Sequence, residues 1–300
     1  MRTNIELVTA MVAFSTFVHA APAAVPQEAP PASLAAPALT GVPDTTVKTS
    51  ANAATATGTT AATAPGNTAS ADSSAPGEAK HYDCSFFKSG GQPSAFPDPS
   101  KWLSGEQLWQ LHLKDTQKVN ADAFTDQTAG LAAIKTALID FPWSLGIPEL
   151  EGVGSGLFVA KAIQESTIRA NPPCTNAGTT NCGILQGPQG SRKFDKSNPE
   201  ASLKNVVEDA IKGKNDSGGG YSDGFLAALQ KAKTLGGSSP AELVAIATRL
   251  YNSGLNSLSK RLDLNAATAA STPSYVSDMA NILTGWVNDG QHGSYADCKA

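Results

Sequence analysis

The chain has 300 residues, and its 22 lysines and arginines against 26 aspartates and glutamates leave a formal net charge of −4. This near balance excludes the strongly basic surface that nucleic-acid binding needs. No apolar run reaches the ~20 residues that span a bilayer, so we also expect no membrane span.

Residues 1–20 have the organisation of a secretory signal peptide. Arg2 gives a positive start, residues 7–18 form a short and mostly apolar run, and residues 18–20 match a small-x-small cleavage site. We therefore expect the mature protein to be secreted into the extracellular space.

Residues 21–80 consist almost entirely of Ala, Pro, Thr, Ser and Gly, without an aromatic residue. Such a segment buries too little apolar surface to offset the entropy lost on ordering. We therefore predict a disordered low-complexity linker over residues 21–80. The remaining residues 81–300 are enough for one folded domain.

Capping and periodicity signals in this region predict a mostly α-helical domain. Residues 104–107 and 239–242 have the capping-box pattern, in which a serine and an acid or amide three positions later cap the first turn. Other helix starts are expected at Asn198, Ser222 and Thr272, and other helices over residues 127–139 and 153–169.

No segment shows the clean alternation of a β-strand. We expect at most a short β-hairpin, within residues 171–195, where prolines and glycines also favour irregular chain. The predicted fold class is a single, mostly α domain.

The region contains four cysteines, and an even number in a secreted domain indicates two disulfides with three possible pairings. We predict Cys174–Cys182, which closes a short loop, and Cys84–Cys298, which ties together domain ends that are often close. No cysteine or histidine pair has the spacing of metal ligands, so we expect no metal site and no cofactor.

Glu165 is the candidate general acid, because it falls near the C-terminal end of the predicted helix 153–169. The negative end of a helix and apolar neighbours both raise the pKa of a carboxyl group. A raised pKa lets the acid hold its proton near neutral pH. The alternative is a surface glutamate that forms ion pairs with Lys161 and Arg169, one turn away on either side.

The segments after Glu165 favour the catalytic interpretation by their order. The series is Glu165-Ser166, Gly183-Ile184-Leu185-Gln186, Asn198-Pro199-Glu200-Ala201-Ser202-Leu203, Tyr251-Asn252-Ser253-Gly254 and Thr272-Pro273-Ser274-Tyr275-Val276. It resembles the lytic transglycosylases and goose-type lysozymes of the lysozyme-like superfamily over residues 150–290. The chain departs from the family pattern at Ile184-Leu185, where Leu-Met is usual, and at Leu250, where Ala is usual.

The resemblance implies a lysozyme-like α+β fold and a role for each residue of the site. Glu165 would protonate the bridging oxygen of a β-1,4 bond between amino sugars, and Ser166 would orient it or contact the sugar acetamide. Gln186 would bind the N-acetyl group, Tyr251 would hydrogen-bond Glu165, and Asn252 would line the cleft. From the residues alone, Tyr251 is equally typical of a core aromatic and Gln186 of a turn-capping amide.

The resemblance also implies peptidoglycan as the substrate, with one glutamate that acts as acid and then as base to form a 1,6-anhydro sugar. Hydrolysis would need a second carboxylate, for which Asp195, Glu200 and Asp216 are candidates. We therefore predict a secreted, monomeric lytic transglycosylase. The alternatives are a hydrolytic lysozyme, a hydrolase of chitin or chitosan oligomers, and a non-catalytic glycan-binding protein.

Overall fold

The structure, a computed structural model, describes residues 77–176, 180–215, 221–258, 263–266 and 272–299. The predicted signal peptide at residues 1–20 and residues 21–76 of the predicted linker 21–80 lie outside the described residues. Residues 77–80 are described, and the Lys80 N–H donates to the carbonyl oxygen of Gly285 at 2.9 Å, so the domain begins a few residues before the predicted boundary. All described residues belong to one compact unit.

The described residues are mostly helical, as predicted. The helices are α1 (Ser85–Lys88), α2 (Gly105–Val119), α3 (Gln127–Ile139), α4 (Phe141–Ser144), α5 (Leu157–Ser166), α6 (Pro199–Lys212), α7 (Phe225–Thr234), α8 (Pro240–Ser253) and α9 (Tyr275–Thr284).

Local capping explains where several of these helices begin. In α2 and α8 the predicted capping boxes are present, since Ser104 accepts the N–H of Gln107 and Ser239 accepts that of Glu242. Asn198 makes no side-chain capping bond, contrary to its predicted role, so the start of α6 relies on the proline that follows.

Two short β-hairpins accompany the helices. The predicted hairpin within residues 171–195 is confirmed, because β1 (Thr175–Asn176) pairs antiparallel with β2 (Thr180–Asn181). A second hairpin joins α6 to α7 and was not predicted; in it β3 (Lys214–Asn215) pairs with β4 (Tyr221–Ser222). Strands of two residues are too short to carry an alternation signal.

Helix α5 lies at the centre of the core, packed against α2, α3 and α9. Residues 157–162 of α5 are all buried, including Lys161. The helix is shorter at both ends than the predicted 153–169. Helices α7 and α8 pack against each other, and α8 also packs against α9. The ends of α5, α8 and α9 therefore come close in space.

Both predicted disulfides are present. Cys84–Cys298 has a Cα–Cα distance of 5.3 Å and joins the two ends of the domain. Cys174–Cys182, with a Cα–Cα distance of 4.4 Å, closes the β1–β2 loop. Within the described ranges, no helix has the length and apolar character needed to cross a membrane.

Candidate active site

Four of the five segments singled out in the sequence, those around Glu165, Gln186, Tyr251 and Tyr275, meet at the C-terminal end of α5. Ser166 Oγ donates a hydrogen bond to the carbonyl oxygen of Ile184 at 2.8 Å. Tyr251 Oη, from the end of α8, donates to the neighbouring carbonyl oxygen of Leu185 at 2.8 Å. One turn, residues 183–187, thus anchors the ends of two helices.

Gly183 allows this turn to pack closely against α6. It has φ +82°, and a Cβ added there would lie 2.2 Å from a methyl carbon of Val206. Any other residue would therefore combine a strained backbone with a steric clash. The glycine in the predicted motif therefore has a packing role, which is to let the turn lie against α6.

The chain turns sharply immediately after α5, and this turn leaves Glu165 at the end of the helix. Thr167 and Ile168 both have φ 56°, in the left-handed region. Their N–H groups donate to the carbonyl oxygens of Ile163 and Ala162 at 3.0 and 2.9 Å. These bonds satisfy carbonyls of the last helical turn and end the helix.

Glu165 is partly buried, with 14% of its side chain exposed. Tyr275 Oη, from the first residue of α9, donates a short hydrogen bond to Glu165 Oε1. Burial raises the pKa of the Glu165 carboxyl above its usual value, and Lys161 and the bond from Tyr275 oppose the rise. An exposed edge and a raised pKa are the properties that a general acid requires.

Lys161 is not the surface cation of the alternative interpretation, because its side chain is fully buried. Its Nζ lies 4.0 Å from Glu165 Oε1 and donates to Tyr275 Oη at 3.2 Å. Burial lowers the pKa of Lys161, and the nearby Glu165 opposes this. Arg169 lies beyond the end of α5, is exposed, and forms no ion pair with any described residue.

The predicted hydrogen bond between Tyr251 and Glu165 is absent, because Tyr251 Oη donates to Leu185 instead. The hydroxyl partner of Glu165 is Tyr275. The ring of Tyr251 covers the Lys161 ammonium, with Nζ 3.6 Å from the ring centroid. The sequence contained a signal for Tyr275, since it stands in the last of the motifs in the series.

The side chain of Gln186 is used within its own loop. Its Oε1 accepts the N–H and the hydroxyl of Thr175 at 3.2 and 2.9 Å. Its Nε2 donates to the carbonyl oxygens of Gly183 and Pro173 at 3.0 and 3.4 Å. With both donors and the oxygen occupied, the amide has the turn-capping role rather than a free face for an N-acetyl group.

Asn252 also makes a contact between segments. Its Oδ1 accepts the backbone N–H of Thr272 at 3.0 Å. The bond ties the end of α8 to the segment that leads into α9, and so helps to place Tyr275. The side chain lies at the edge of the site, half-buried.

Two of the carboxylates that the sequence offered as a second catalytic group have partners outside the cluster around Glu165, and the third is not described. Asp195 is exposed and accepts from Ser197, whereas Glu200 is exposed and pairs with Lys204 at 2.7 Å. Asp216 lies outside the described residues.

Asp278 is a carboxylate near the site that the sequence analysis missed. It lies one helical turn after Tyr275, and its Oδ1 accepts from Tyr82 Oη at 2.8 Å. Gln164, the neighbour of Glu165, also hydrogen-bonds to it. Burial raises the pKa of Asp278, while hydrogen bonds from Ser274, Tyr82 and Gln164 lower it. The sequence did contain a signal for Asp278, because a residue three positions after Tyr275 lies on the same side of a helix.

A pocket of about 730 Å³ lies elsewhere, between residues 80–101 and the C-terminal part of α9. Its lining includes Lys80, Phe96 and Asn281, but none of the residues discussed above as catalytic or substrate-binding candidates. In the part of the chain that the structure describes, no group of three histidine, cysteine or acidic side chains could hold a metal ion.

The described part of the chain is a mostly helical, disulfide-linked domain in which the largely buried Glu165 carboxyl contacts a tyrosine and a buried lysine. Comparison with protein-family models, with curated proteins and with solved structures finds no match for the chain.

Proposed function

We propose that the protein is a secreted glycosidase that cleaves the β-1,4 bond between N-acetylmuramic acid and N-acetylglucosamine in peptidoglycan. The observation that carries the proposal is the placement of Glu165. This acid has an exposed edge and a raised pKa, and it lies where three segments distant in sequence meet. The substrate class comes from the resemblance of the motifs to lytic transglycosylases and goose-type lysozymes.

The proposed reaction uses one carboxyl group twice. Protonated Glu165 gives its proton to the bridging oxygen as the bond from that oxygen to the sugar C1 breaks. The resulting carboxylate then takes the proton of the C6 hydroxyl of the same muramic residue. That oxygen bonds to C1, which gives a 1,6-anhydro sugar and returns Glu165 to its protonated form.

Secretion is part of the proposal. Two disulfides are typical of proteins that fold in an oxidising compartment. They agree with the signal-peptide pattern of residues 1–20, and we propose that the mature protein acts outside the cell as a monomer.

The test is clearance of purified cell walls, with mass spectrometry of the released fragments. Glu165→Gln keeps the shape of the side chain but removes the proton donor, and we expect at least a ~100-fold loss of activity. The matched control is Glu200→Gln, which removes an exposed carboxylate of α6 and should leave activity unchanged. Full activity in Glu165→Gln would refute the assignment of the acid.

Hydrolysis is the second candidate, and Asp278 is the observation that favours it. A hydrolase needs a second carboxylate to activate water, and Asp278 is joined to Gln164, the residue before Glu165. Anhydro ends in the products would support transglycosylation, whereas reducing ends would support hydrolysis.

The variant Asp278→Asn separates these two reactions. If Asp278 activates water, the variant should lose the reducing-end products, with a loss of at least ~100-fold in hydrolysis. If Glu165 acts alone, the anhydro products should persist at a rate within about tenfold of wild type. Oligomers of N-acetylglucosamine, tested in parallel, show whether the protein prefers chitin-type chains.

A further inference from the structure

Lys161 is an unexpected residue for the centre of a helical core. Its side chain is fully buried, and an ammonium group loses most of its hydration when it leaves water. Among the described residues, one carboxylate lies within ion-pair distance, that of Glu165, with 4.0 Å between Nζ and Oε1.

Three aromatic rings lie close to the Lys161 ammonium. Its Nζ lies 3.6 Å from the ring centroid of Tyr251, 5.0 Å from that of Phe225 and 5.6 Å from that of Tyr275. Such rings attract a cation and offset part of its lost hydration. A methionine would fill a similar volume without that loss, so packing alone does not account for a lysine here.

The hydrogen bonds around Lys161 have a fixed direction. An ammonium group only donates, so the Lys161 Nζ–Tyr275 Oη contact of 3.2 Å makes the tyrosine oxygen the acceptor. The hydroxyl proton of Tyr275 is then free to be donated to Glu165 Oε1, which is the hydrogen bond that the structure shows. Lys161 thus donates to Tyr275, and Tyr275 donates to the Glu165 carboxyl group.

We propose that Lys161 is a positioning residue for Glu165, which through Tyr275 orients the carboxyl group and stabilises its ionised form between the two proton transfers. The inference rests on the proposed function, because that reaction requires Glu165 to exist in turn as acid and as carboxylate. Fixed positive charge near a developing anion lowers the barrier without reorganisation during the reaction.

Several titratable groups lie on α5 and on the elements around it. The buried or largely buried ones include Lys161 of α5, Tyr251 and Arg249 of α8, Tyr275 and Asp278 of α9, and His112 of α2. The turn at residues 183–187 and the buried residues of α3 carry none. Lys161 and Tyr275 are the two side chains that act directly on the Glu165 carboxyl, and both lower its pKa against the effect of burial.

The variant Lys161→Met tests the proposal without an activity assay. The pKa of Glu165 is measured by carbon-13 NMR titration of labelled glutamate carboxyls, with the signal assigned from Glu165→Gln. Removal of an opposite charge should raise this pKa by about one unit or more. The matched control Lys135→Met removes a half-buried lysine that pairs with Glu106, and it should leave the Glu165 titration unchanged.

The variant Tyr275→Phe tests the link between the two groups. It keeps the ammonium but removes the hydroxyl, so the pKa of Glu165 should rise here as well. It also provides a second test of the proposal if the Lys161→Met protein does not fold. An unchanged Glu165 titration in a folded Lys161→Met protein, or in folded Tyr275→Phe where Lys161→Met fails to fold, overturns the proposal.

The kinetic constants and their pH dependence distinguish a positioning role from a merely structural role of Lys161, because loss of a structural lysine would not shift the pH profile. In Lys161→Met we expect kcat to fall about tenfold or more, since the carboxylate loses its stabilising charge, with KM within about threefold. The alkaline limb of the pH profile should move upward, because Glu165 keeps its proton to higher pH. If the wild-type protein cleaves no cell wall, the proposed function fails, whereas the NMR titration still tests the coupling.

Discussion

His112 is a buried histidine, and its burial lowers the stability of the folded protein at acidic pH. It is 6% exposed, and its Nε2 has no partner among the described residues. Burial lowers the pKa of the imidazole from 6.5 to about 4 in the folded protein. The unfolded chain therefore binds a proton at a higher pH than the folded one, and stability is lost as the pH falls through this range.

We predict that His112→Gln reduces the acid sensitivity of the fold. Between pH 7 and pH 4.5 the wild-type free energy of unfolding should fall by up to about 3 kcal/mol more than that of the variant. Urea unfolding at the two pH values measures the difference. His81→Gln, which removes an exposed imidazole, serves as the control. An equal pH dependence in wild type and His112→Gln would contradict this reading.

At the scale of elements, the end of α5 places the acid and contains backbone strain. Thr167 is exposed and has φ 56° and ψ 37°. The left-handed region costs a residue with a Cβ about 1–2 kcal/mol relative to the right-handed one. Glycine pays no such cost, although it loses more entropy on folding.

We therefore expect Thr167→Gly to raise the free energy of unfolding by about 0.5–1 kcal/mol. The matched control is Thr234→Gly at the end of α7, where the threonine is exposed in a right-handed helix. There glycine should lower the free energy of unfolding by about 0.5–1 kcal/mol. Chemical denaturation of both variants checks the opposite signs, and the same sign in both would rule out the strain argument.

At the scale of the whole molecule, the two disulfides differ in the length of chain that they close. Cys84–Cys298 spans a sequence separation of 214, whereas Cys174–Cys182 spans 8. A longer closed loop removes more conformational entropy from the unfolded chain. The disulfide between the domain ends should therefore contribute more to stability.

We predict that replacing Cys84 and Cys298 by serine lowers the free energy of unfolding by roughly 5 kcal/mol, against roughly 3 kcal/mol for the pair Cys174 and Cys182. Urea unfolding of the two double variants measures the order. A greater loss for the short loop would show that its disulfide acts mainly on the folded state, through the turn that holds α5 and α8.

The sequence by itself determined the features that depend on neighbouring residues or on simple chain geometry. The capping boxes that open α2 and α8 and the bounds of α3 follow from local hydrogen bonding and periodicity. Loop length and the closeness of domain ends favoured the disulfide pairs that the structure has, but the sequence left three pairings possible. The motif order selected Glu165 and the segments that surround it.

Only the tertiary structure decided what each polar side chain of the site does. The spacing of Lys161 and Glu165 is the same on a solvated face as on a buried one, so the spacing left their environment open. Which tyrosine reaches Glu165 depends on how α8 and α9 pack against α5, and packing gave that place to Tyr275 and put Tyr251 over the ammonium. A hydroxyl or ammonium group takes the partner that lies within about 3 Å in the folded chain, and that distance is set by long-range packing.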